Sequence, residues 1–77
     1  MDGEIRKGRI KVFKDRGFGF IKDDQGGPDL FFHINNLKEV KLRYYATYGL
    51  LPGKTVYFIE KNDEPRRIVE EAWLAEN

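Results

Sequence analysis

Two short stretches of the sequence concentrate aromatic side chains that could stack on a flat ligand. They are residues 17–21, Gly-Phe-Gly-Phe-Ile, and residues 29–33, Asp-Leu-Phe-Phe-His. If each stretch is a strand, its side chains alternate between two faces. One face then holds ordinary core residues, namely Ile21, Leu30 and Phe32. The other face holds four flat rings, those of Phe18, Phe20, Phe31 and His33.

This second face is too aromatic for a surface that meets only water. A chain of 77 residues hardly supplies another layer of structure to bury it, and exposed rings suggest a ligand that stacks. Gly17 and Gly19 are expected to leave a flat platform around the rings. Four basic residues lie close by in the sequence: Lys11, Lys14, Arg16 and Lys22. Rings beside cations are typical of proteins that bind single-stranded nucleic acid.

The same residues allow other interpretations. The rings could belong to the core, although the opposite face already supplies apolar residues for it. They could also be the centre of an interface with a protein partner. His33 could act as a general base, but no nucleophile or partner carboxylate stands at a recognisable spacing from it. We therefore assign no catalytic residue and predict that the protein is not an enzyme.

The two aromatic stretches resemble motifs of a known family, the cold-shock domains. Residues 16–21 (RGFGFI) resemble its first ribonucleoprotein motif, usually Lys-Gly-Phe-Gly-Phe-Ile, and residues 30–34 (LFFHI) resemble its second, usually Val-Phe-Val-His-Phe. Residues 8–13 are similar to the opening strand of the family, and residues 51–58 to the entry into its fourth strand. The resemblance implies an all-β fold, a five-stranded antiparallel OB-fold barrel. It also implies binding of single-stranded RNA or DNA on the second and third strands, and an RNA-chaperone activity.

The sequence departs from the family pattern at two ring positions and in one connection. Val12 stands where the family usually has a surface Trp, and Ile34 replaces a usual Phe. Residues 38–51 are predicted to form a long loop, a few residues longer than usual.

This loop repeats the mixture of rings and cations seen in the motifs. It contains Lys41, Arg43, Tyr44, Tyr45 and Tyr48. We predict that at least one of Tyr44 and Tyr45 touches the ligand. The competing local interpretations are a short amphipathic helix, with Val40, Tyr44 and Tyr48 on one stripe, and tyrosines that merely cap the end of the barrel.

Length, charge and composition fit a small binding domain. The 77 residues predict a single domain, 1–77, and the net charge is only +1. Residues 1–22 hold seven basic and three acidic side chains, whereas residues 60–77 hold three basic and six acidic ones. The basic excess therefore lies on the strands that carry the rings, and binding follows local potential more than total charge. The acidic residues Asp23, Asp24 and Asp29 are interpreted as turn formers that keep phosphate away from one edge.

Several classes of site and location are not expected. With no cysteine and one histidine, neither disulfides nor a zinc site is predicted, and no cofactor is implied. No apolar run reaches membrane-spanning length and no signal peptide begins the chain, so we expect a cytoplasmic protein without membrane contact.

The pattern of alternation and turns predicts the order of elements. Strands are expected over residues 8–14, 18–22, 29–33, 54–60 and 66–74, with a frayed start over residues 1–7 and a loop over residues 61–65. The expected partner is single-stranded RNA or DNA and the expected state is a monomer, with a strand-swapped dimer as the alternative. The predicted nucleic-acid-binding residues are Lys11, Phe13, Arg16, Phe18, Phe20, Lys22, Phe31, His33, Tyr44 and Tyr45.

Overall fold

The computed structural model describes residues 4–63 and 66–75, and its architecture is dominated by five strands. The strands are β1 (Ile5–Lys14), β2 (Phe18–Asp23), β3 (Leu30–His33), β4 (Thr55–Asp63) and β5 (Arg66–Leu74). A short 3₁₀ turn (Ile34–Asn36) and one helix, α1 (Val40–Thr47), connect β3 to β4. The strands close into a barrel in the order β1-β2-β3-β5-β4, which confirms the predicted five-stranded all-β fold.

Antiparallel pairing builds most of the barrel, and one parallel pairing closes it. The β1–β2, β2–β3, β1–β4 and β4–β5 pairs are antiparallel. The remaining pair, β3 with β5, is parallel and places Phe31 opposite Ile68. Closure gives each of these strands a neighbour on both sides.

The inside of the barrel is filled by the apolar face of each strand. Alternation along β2 and β3 buries Ile21, Leu30 and Phe32 completely, as the sequence predicts. The other fully or almost fully buried apolar residues are Ile10, Leu37, Leu42, Leu51, Val56, Phe58, Val69 and Ala72. Nowhere in the described residues is there a helix with the length and apolar character needed to cross a membrane.

Two strand boundaries differ by three residues from those predicted, and the other strand ends agree to within one residue. β1 begins at Ile5 rather than at residue 8, because Ile5 pairs with Ile59 of β4. β4 continues to Asp63, so the predicted loop is wrong for residues 61–63, which pair with the start of β5. The remaining loop residues 64–65, and residues 1–3 of the predicted frayed start, lie outside the described residues. The last strand occupies the predicted residues, Arg66–Leu74.

The predicted long loop is largely the helix α1, so the helical alternative is the correct one. Its orientation, however, is not the one that the apolar stripe suggests. Leu42 is fully buried, whereas Val40, Tyr44 and Tyr48 are 83%, 56% and 63% exposed. The helix therefore inserts Leu42 into the core and turns its more aromatic side to solvent.

The two glycines of the first motif are needed for different structural reasons, and Gly19 is not part of a flat ligand surface. Gly17 has a backbone φ of +93°, which residues with a side chain rarely adopt. Its carbonyl oxygen accepts the backbone N–H of Ile34 at 2.8 Å. Gly19 faces the inside of the barrel. A Cβ there would collide with the carbonyl oxygen of Val12 and lie 2.8 Å from the ring of Phe32. The expectation that Gly19 flattens the platform is therefore wrong, since it allows β1 and the core to approach β2 closely.

Candidate nucleic-acid interface

Three phenylalanine rings meet on the outer face of β2 and β3 and form what we call the aromatic platform, defined as Phe18, Phe20 and Phe31. The register pairs Phe20 with Phe31 and Phe18 with His33. The Phe18 and Phe31 rings are stacked, with centroids 5.6 Å apart and planes inclined by 22°. Phe20 stands edge-on to both, at 6.2 Å from Phe18 and 5.9 Å from Phe31. All three rings are half-buried because they cover one another, and none belongs to the core.

His33 ends β3 beside this platform, and its ring is held by the turn that follows. Its Nδ1 accepts the backbone N–H of Asn35 at 3.1 Å, while its own backbone N–H donates to Asn36 Oδ1 at 2.6 Å. Because Nδ1 is an acceptor, the neutral ring carries its proton on Nε2. The side chain is exposed, so an oriented N–H donor stands at the end of the platform.

Basic side chains surround the platform on β1, β2 and the turn between them. Lys22 is exposed and lies on the same face of β2 as Phe18 and Phe20. Lys14 and Arg16 are exposed at the β1–β2 hairpin. Lys11 is also exposed, but its Nζ lies 3.0 Å from Asp29 Oδ2.

The Lys11–Asp29 ion pair joins β1 to the start of β3 and therefore crosses β2. It corrects the view of Asp29 as only a turn former, because this carboxylate is the partner of a predicted phosphate-binding lysine. A phosphate that binds Lys11 would compete with it.

A bulge in β1 decides which of its residues reach the platform. The β1–β2 register shifts between Ile10 and Val12, so that Val12 lies directly opposite Phe20. Val12 is half-buried and adjoins the platform. Phe13 does not: its ring packs against the core and stacks on Phe32 at 5.9 Å. The structure thus does not bring Phe13 together with the other predicted rings.

A cleft of about 510 Å³ lies beside the platform. Several of the residues that line it were not identified from the sequence. We call it the β5 cleft, and it is lined by Phe20, Pro28, Asp29, Phe31, Arg66, Arg67 and Ile68. The parallel pairing of β3 with β5 brings Arg66 and Ile68 here. No local sequence signal indicates this, because only the closed barrel makes β5 a neighbour of β3.

Comparison with known proteins identifies the family of this chain. A family model described as the 'Cold-shock' DNA-binding domain matches residues 6–69. The cold shock protein ScoF of Streptomyces coelicolor is 52% identical over 56 residues, covering 65% of this chain and 84% of ScoF. The cold shock protein CapA of Pseudomonas fragi is 33% identical over 60 residues, covering 77% of this chain and 86% of CapA.

A longer protein also contains a matching region. Glycine-rich protein 2 of Nicotiana sylvestris is 42% identical over 57 residues, which are 73% of this chain but only 24% of that protein. The chain belongs to the cold-shock domain family. Cold-shock domains generally bind nucleic acid and are in general not enzymes, and the outward aromatic platform of this one is consistent with that activity.

The two predicted tyrosines of this cold-shock domain have different surroundings, and neither belongs to the aromatic platform. Tyr44 is 56% exposed on the outer side of α1. Tyr45 is half-buried against the core, and Lys54 Nζ lies 4.3 Å above the centre of its ring. For Tyr45 the structure supports the interpretation of a ring that covers the end of the barrel. The neighbouring Tyr44 is exposed and accessible to a ligand.

The domain also contains a group of opposite charges that the sequence analysis missed. We call it the charge cluster, defined as Arg6, Asp23, Glu60 and Arg67. Asp23 is only 3% exposed, and its Oδ2 lies 2.9 Å from Arg6 Nη2 and 2.8 Å from Arg67 Nη2. Glu60 Oε1 lies 2.6 Å from Arg6 Nη2 and 3.3 Å from Arg67 Nη2. Asp23 is thus a buried ion-pair partner as well as a turn former, since its Oδ1 accepts the backbone N–H of Gln25 at 2.9 Å.

Arg67 connects the charge cluster to the loop that borders the platform. Its Nη1 donates to the carbonyl oxygens of Pro28 at 2.6 Å and of Gly26 at 3.4 Å. The loop between β2 and β3 is therefore fixed from β5. The predicted strands 8–14 and 18–22 stop short of Arg6 and Asp23, so the sequence analysis left two of the four residues outside the barrel.

Burial and ion pairing act in opposite directions on Asp23. Burial alone would raise the pKa of Asp23, but hydrogen bonds from the backbone of Gln25 and from Arg67, together with the charge of Arg6, outweigh it and hold the pKa below its ordinary value. The hydrogen bond from Arg67 likewise lowers the pKa of Glu60. Both carboxylates are charged at neutral pH, so neither arginine of the cluster is a free cation for phosphate.

Proposed function

We propose that this cold-shock domain binds single-stranded RNA or DNA across the outer face of β2 and β3, with bases stacked on Phe18, Phe20 and Phe31. The observation that carries the proposal is the set of three rings that point outward from neighbouring strands and touch one another. Because every base has a π face, such a platform accepts single strands of many sequences. Bases in a duplex are already stacked and paired, so duplexes should bind far more weakly.

The geometry suggests a role for each part of the surface. Phe18 and Phe31 already stack on each other, so a base on the open face of either ring would extend that stack. Phe20 stands at a steep angle to both and would support a second base in another orientation. The Nε2–H of His33 would donate a hydrogen bond to a base or a sugar. Exposed Lys14, Arg16 and Lys22 would neutralise phosphates, and Lys11 would do so by exchanging its Asp29 partner.

We further propose that an RNA-chaperone activity follows from binding alone. A protein that binds the unpaired strand and not the duplex shifts the equilibrium toward the unpaired strand by mass action. This requires neither a cofactor nor a chemical step. The expected observation is that the protein lowers the melting temperature of a weak RNA hairpin, monitored with a fluorophore and a quencher at its two ends, by an amount that grows with the logarithm of the protein concentration above the dissociation constant.

The binding proposal is tested by titrating labelled oligo-pyrimidine RNA, matched DNA and a duplex with the protein. Phe31→Leu keeps an apolar side chain but removes a stacking face, and it should weaken single-strand binding by about 1–3 kcal/mol. Tyr57→Leu is the matched control, because Tyr57 is 44% exposed on β4 and lies outside the platform. Equal affinity of Phe31→Leu and Tyr57→Leu, in proteins that remain folded, would contradict the platform.

Salt dependence separates nucleic-acid binding from the alternative of a protein partner on the aromatic face. Three or four phosphate contacts predict a slope of log affinity against log salt of roughly −2 to −3, at about −0.7 per phosphate on a single strand. An apolar protein interface would give a slope near zero. Failure of every single strand to bind at low salt would reject the proposed function.

A further inference from the structure

Helix α1 presents an unusual outer side, which we call the tyrosine stripe and define as Val40, Tyr44 and Tyr48. These residues are four apart in the sequence and are 83%, 56% and 63% exposed. The rings of Tyr44 and Tyr48 are 4.8 Å apart at an angle of 53°. The helix is attached to the barrel by Leu42 in the core and by Tyr45 and Ala46, which pack against the core. Packing of the barrel therefore does not explain two adjoining tyrosines on the solvent side.

The segment that carries the stripe is basic, which favours an anionic partner. Residues 38–54 contain four basic side chains, Lys38, Lys41, Arg43 and Lys54, and a single acidic one, Glu39. Glu39 accepts the backbone N–H of Leu74. Paired rings in a basic segment match a polyanion that carries flat bases better than they match the apolar surface of a protein.

The C-terminal end of α1 adjoins the hairpin between β1 and β2, and the β2 strand of this hairpin carries Phe18 and Phe20 of the aromatic platform. A cleft of about 470 Å³ separates them, lined on one side by Phe13 and Asp15 of the hairpin and on the other by Ala46, Thr47, Gly49 and Pro52. Tyr48 stands between two of these lining residues in the sequence. Lys14, which pairs with Phe18 in the register, and Arg16 are exposed at the same hairpin. A strand that left the platform at Phe18 would pass these basic side chains before it reached the cleft and the end of the helix.

We propose that the tyrosine stripe is a second stacking surface for the same single strand, engaged only when the strand extends beyond the aromatic platform. Tyr48 stacks the first base after the cleft, and Tyr44 stacks the next. The inference rests on the proposed function, because it requires a strand already bound on β2 and β3. It adds a separate site and a dependence of affinity on strand length, within the range of about 4–16 nucleotides that OB-folds cover.

The test compares two strand lengths in the intact protein. Labelled oligouridine of 5 and of 16 nucleotides is titrated against the wild type, the double variant Tyr44→Ala/Tyr48→Ala, and Tyr57→Ala as a matched loss of an exposed tyrosine elsewhere. The double variant should bind the 5-mer as the wild type does and lose roughly tenfold or more in affinity for the 16-mer. Tyr57→Ala should change neither affinity.

Each other outcome has a definite meaning. An unchanged affinity for the 16-mer would overturn the second surface while leaving the platform intact. An equal loss with both strands would also overturn it, since the tyrosines would then act through the platform or through folding. A wild type that binds neither strand would instead refute the proposed function. Self-association that the double variant abolishes, measured by analytical ultracentrifugation with RNA binding unchanged, would assign the stripe to a second copy of the chain and reject the proposal.

Discussion

Replacing Asp23 by Asn should test whether the charge cluster holds this barrel together. Asp23 Oδ2 is shared by Arg6 and Arg67 at 2.9 and 2.8 Å, and the residue is 3% exposed. The Asn side chain has nearly the same shape as Asp. Its oxygen can still accept the backbone N–H of Gln25, which lies 2.9 Å from Asp23 Oδ1 in the wild type. The substitution therefore removes the charge with little change in packing. Glu60 is then the one carboxylate of the charge cluster that remains for the two guanidinium groups.

The expected loss of stability is large for so small a domain. Removing one partner from a buried ion pair costs about 3–5 kcal/mol, because the opposite charge stays buried without compensation. The lower figure is appropriate here, since Glu60 remains and the Arg6 and Arg67 side chains keep 16% and 21% of their surface exposed to water. A single core of this size rarely supplies more than about 3–5 kcal/mol. A loss of about 3 kcal/mol would lower the melting temperature by roughly 12–24 °C.

The assay is urea and thermal unfolding followed by the fluorescence of Trp73, with Asp24→Asn as the matched control. Asp24 is the exposed neighbour, so the unfolding free energy of Asp24→Asn should stay within about 0.5 kcal/mol of the wild type.

Wild-type stability should also fall in acid. The folded pKa values of Asp23 and Glu60 are lowered, so their contribution is complete above the unfolded values, near pH 4, and is lost as the pH falls through the folded values.

Asp23→Asn should show a shallower loss of stability in the same acid range, because one of the two titrating carboxylates is gone. The reasoning is refuted if Asp23→Asn and Asp24→Asn have equal unfolding free energies at pH 7. It is also refuted if Asp23→Asn is less stable but has the full acid dependence of the wild type. In that case the loss would come from packing and not from charge.

Three further substitutions test the surface and its support. Gly19→Ala should destabilise the barrel by about 1–3 kcal/mol in urea unfolding, since its Cβ would press on the backbone of Val12 and the ring of Phe32; an unchanged midpoint would show that β1 and β2 can separate freely. Val12→Trp should tighten single-strand binding by about 1–3 kcal/mol without steepening the salt slope, because position 12 adjoins Phe20 and gains a ring but no charge; unchanged affinity in a folded protein would place position 12 off the path of the ligand. Lys11→Ala should weaken binding and flatten the salt slope by about 0.7, measured by titration at several salt concentrations, whereas an unchanged slope would mean that Lys11 keeps its carboxylate partner when the ligand binds.

The sequence alone determined the platform and the core beneath it. Successive side chains of a strand must point to opposite faces, so the order of residues in 18–21 and 30–33 separates Phe18, Phe20 and Phe31 from Ile21 and Phe32 wherever the strands lie. The same alternation gives Glu60 an interior position on its strand, but the first predicted strand begins at residue 8 and the second ends at residue 22, which leaves Arg6 and Asp23 outside them.

The tertiary structure decided the features that depend on residues distant in the chain, namely the orientation of α1 and the strand that lies beside β3. The apolar pattern of α1 favours burial of its tyrosines, but the open end of the barrel accepts Leu42 and leaves Tyr44 exposed. The β5 cleft exists because parallel pairing sets Ile68 opposite Phe31, and no local rule of turns or alternation specifies which strand closes a barrel. Faces follow from the covalent geometry of each strand, whereas partners follow from the packing of the whole chain.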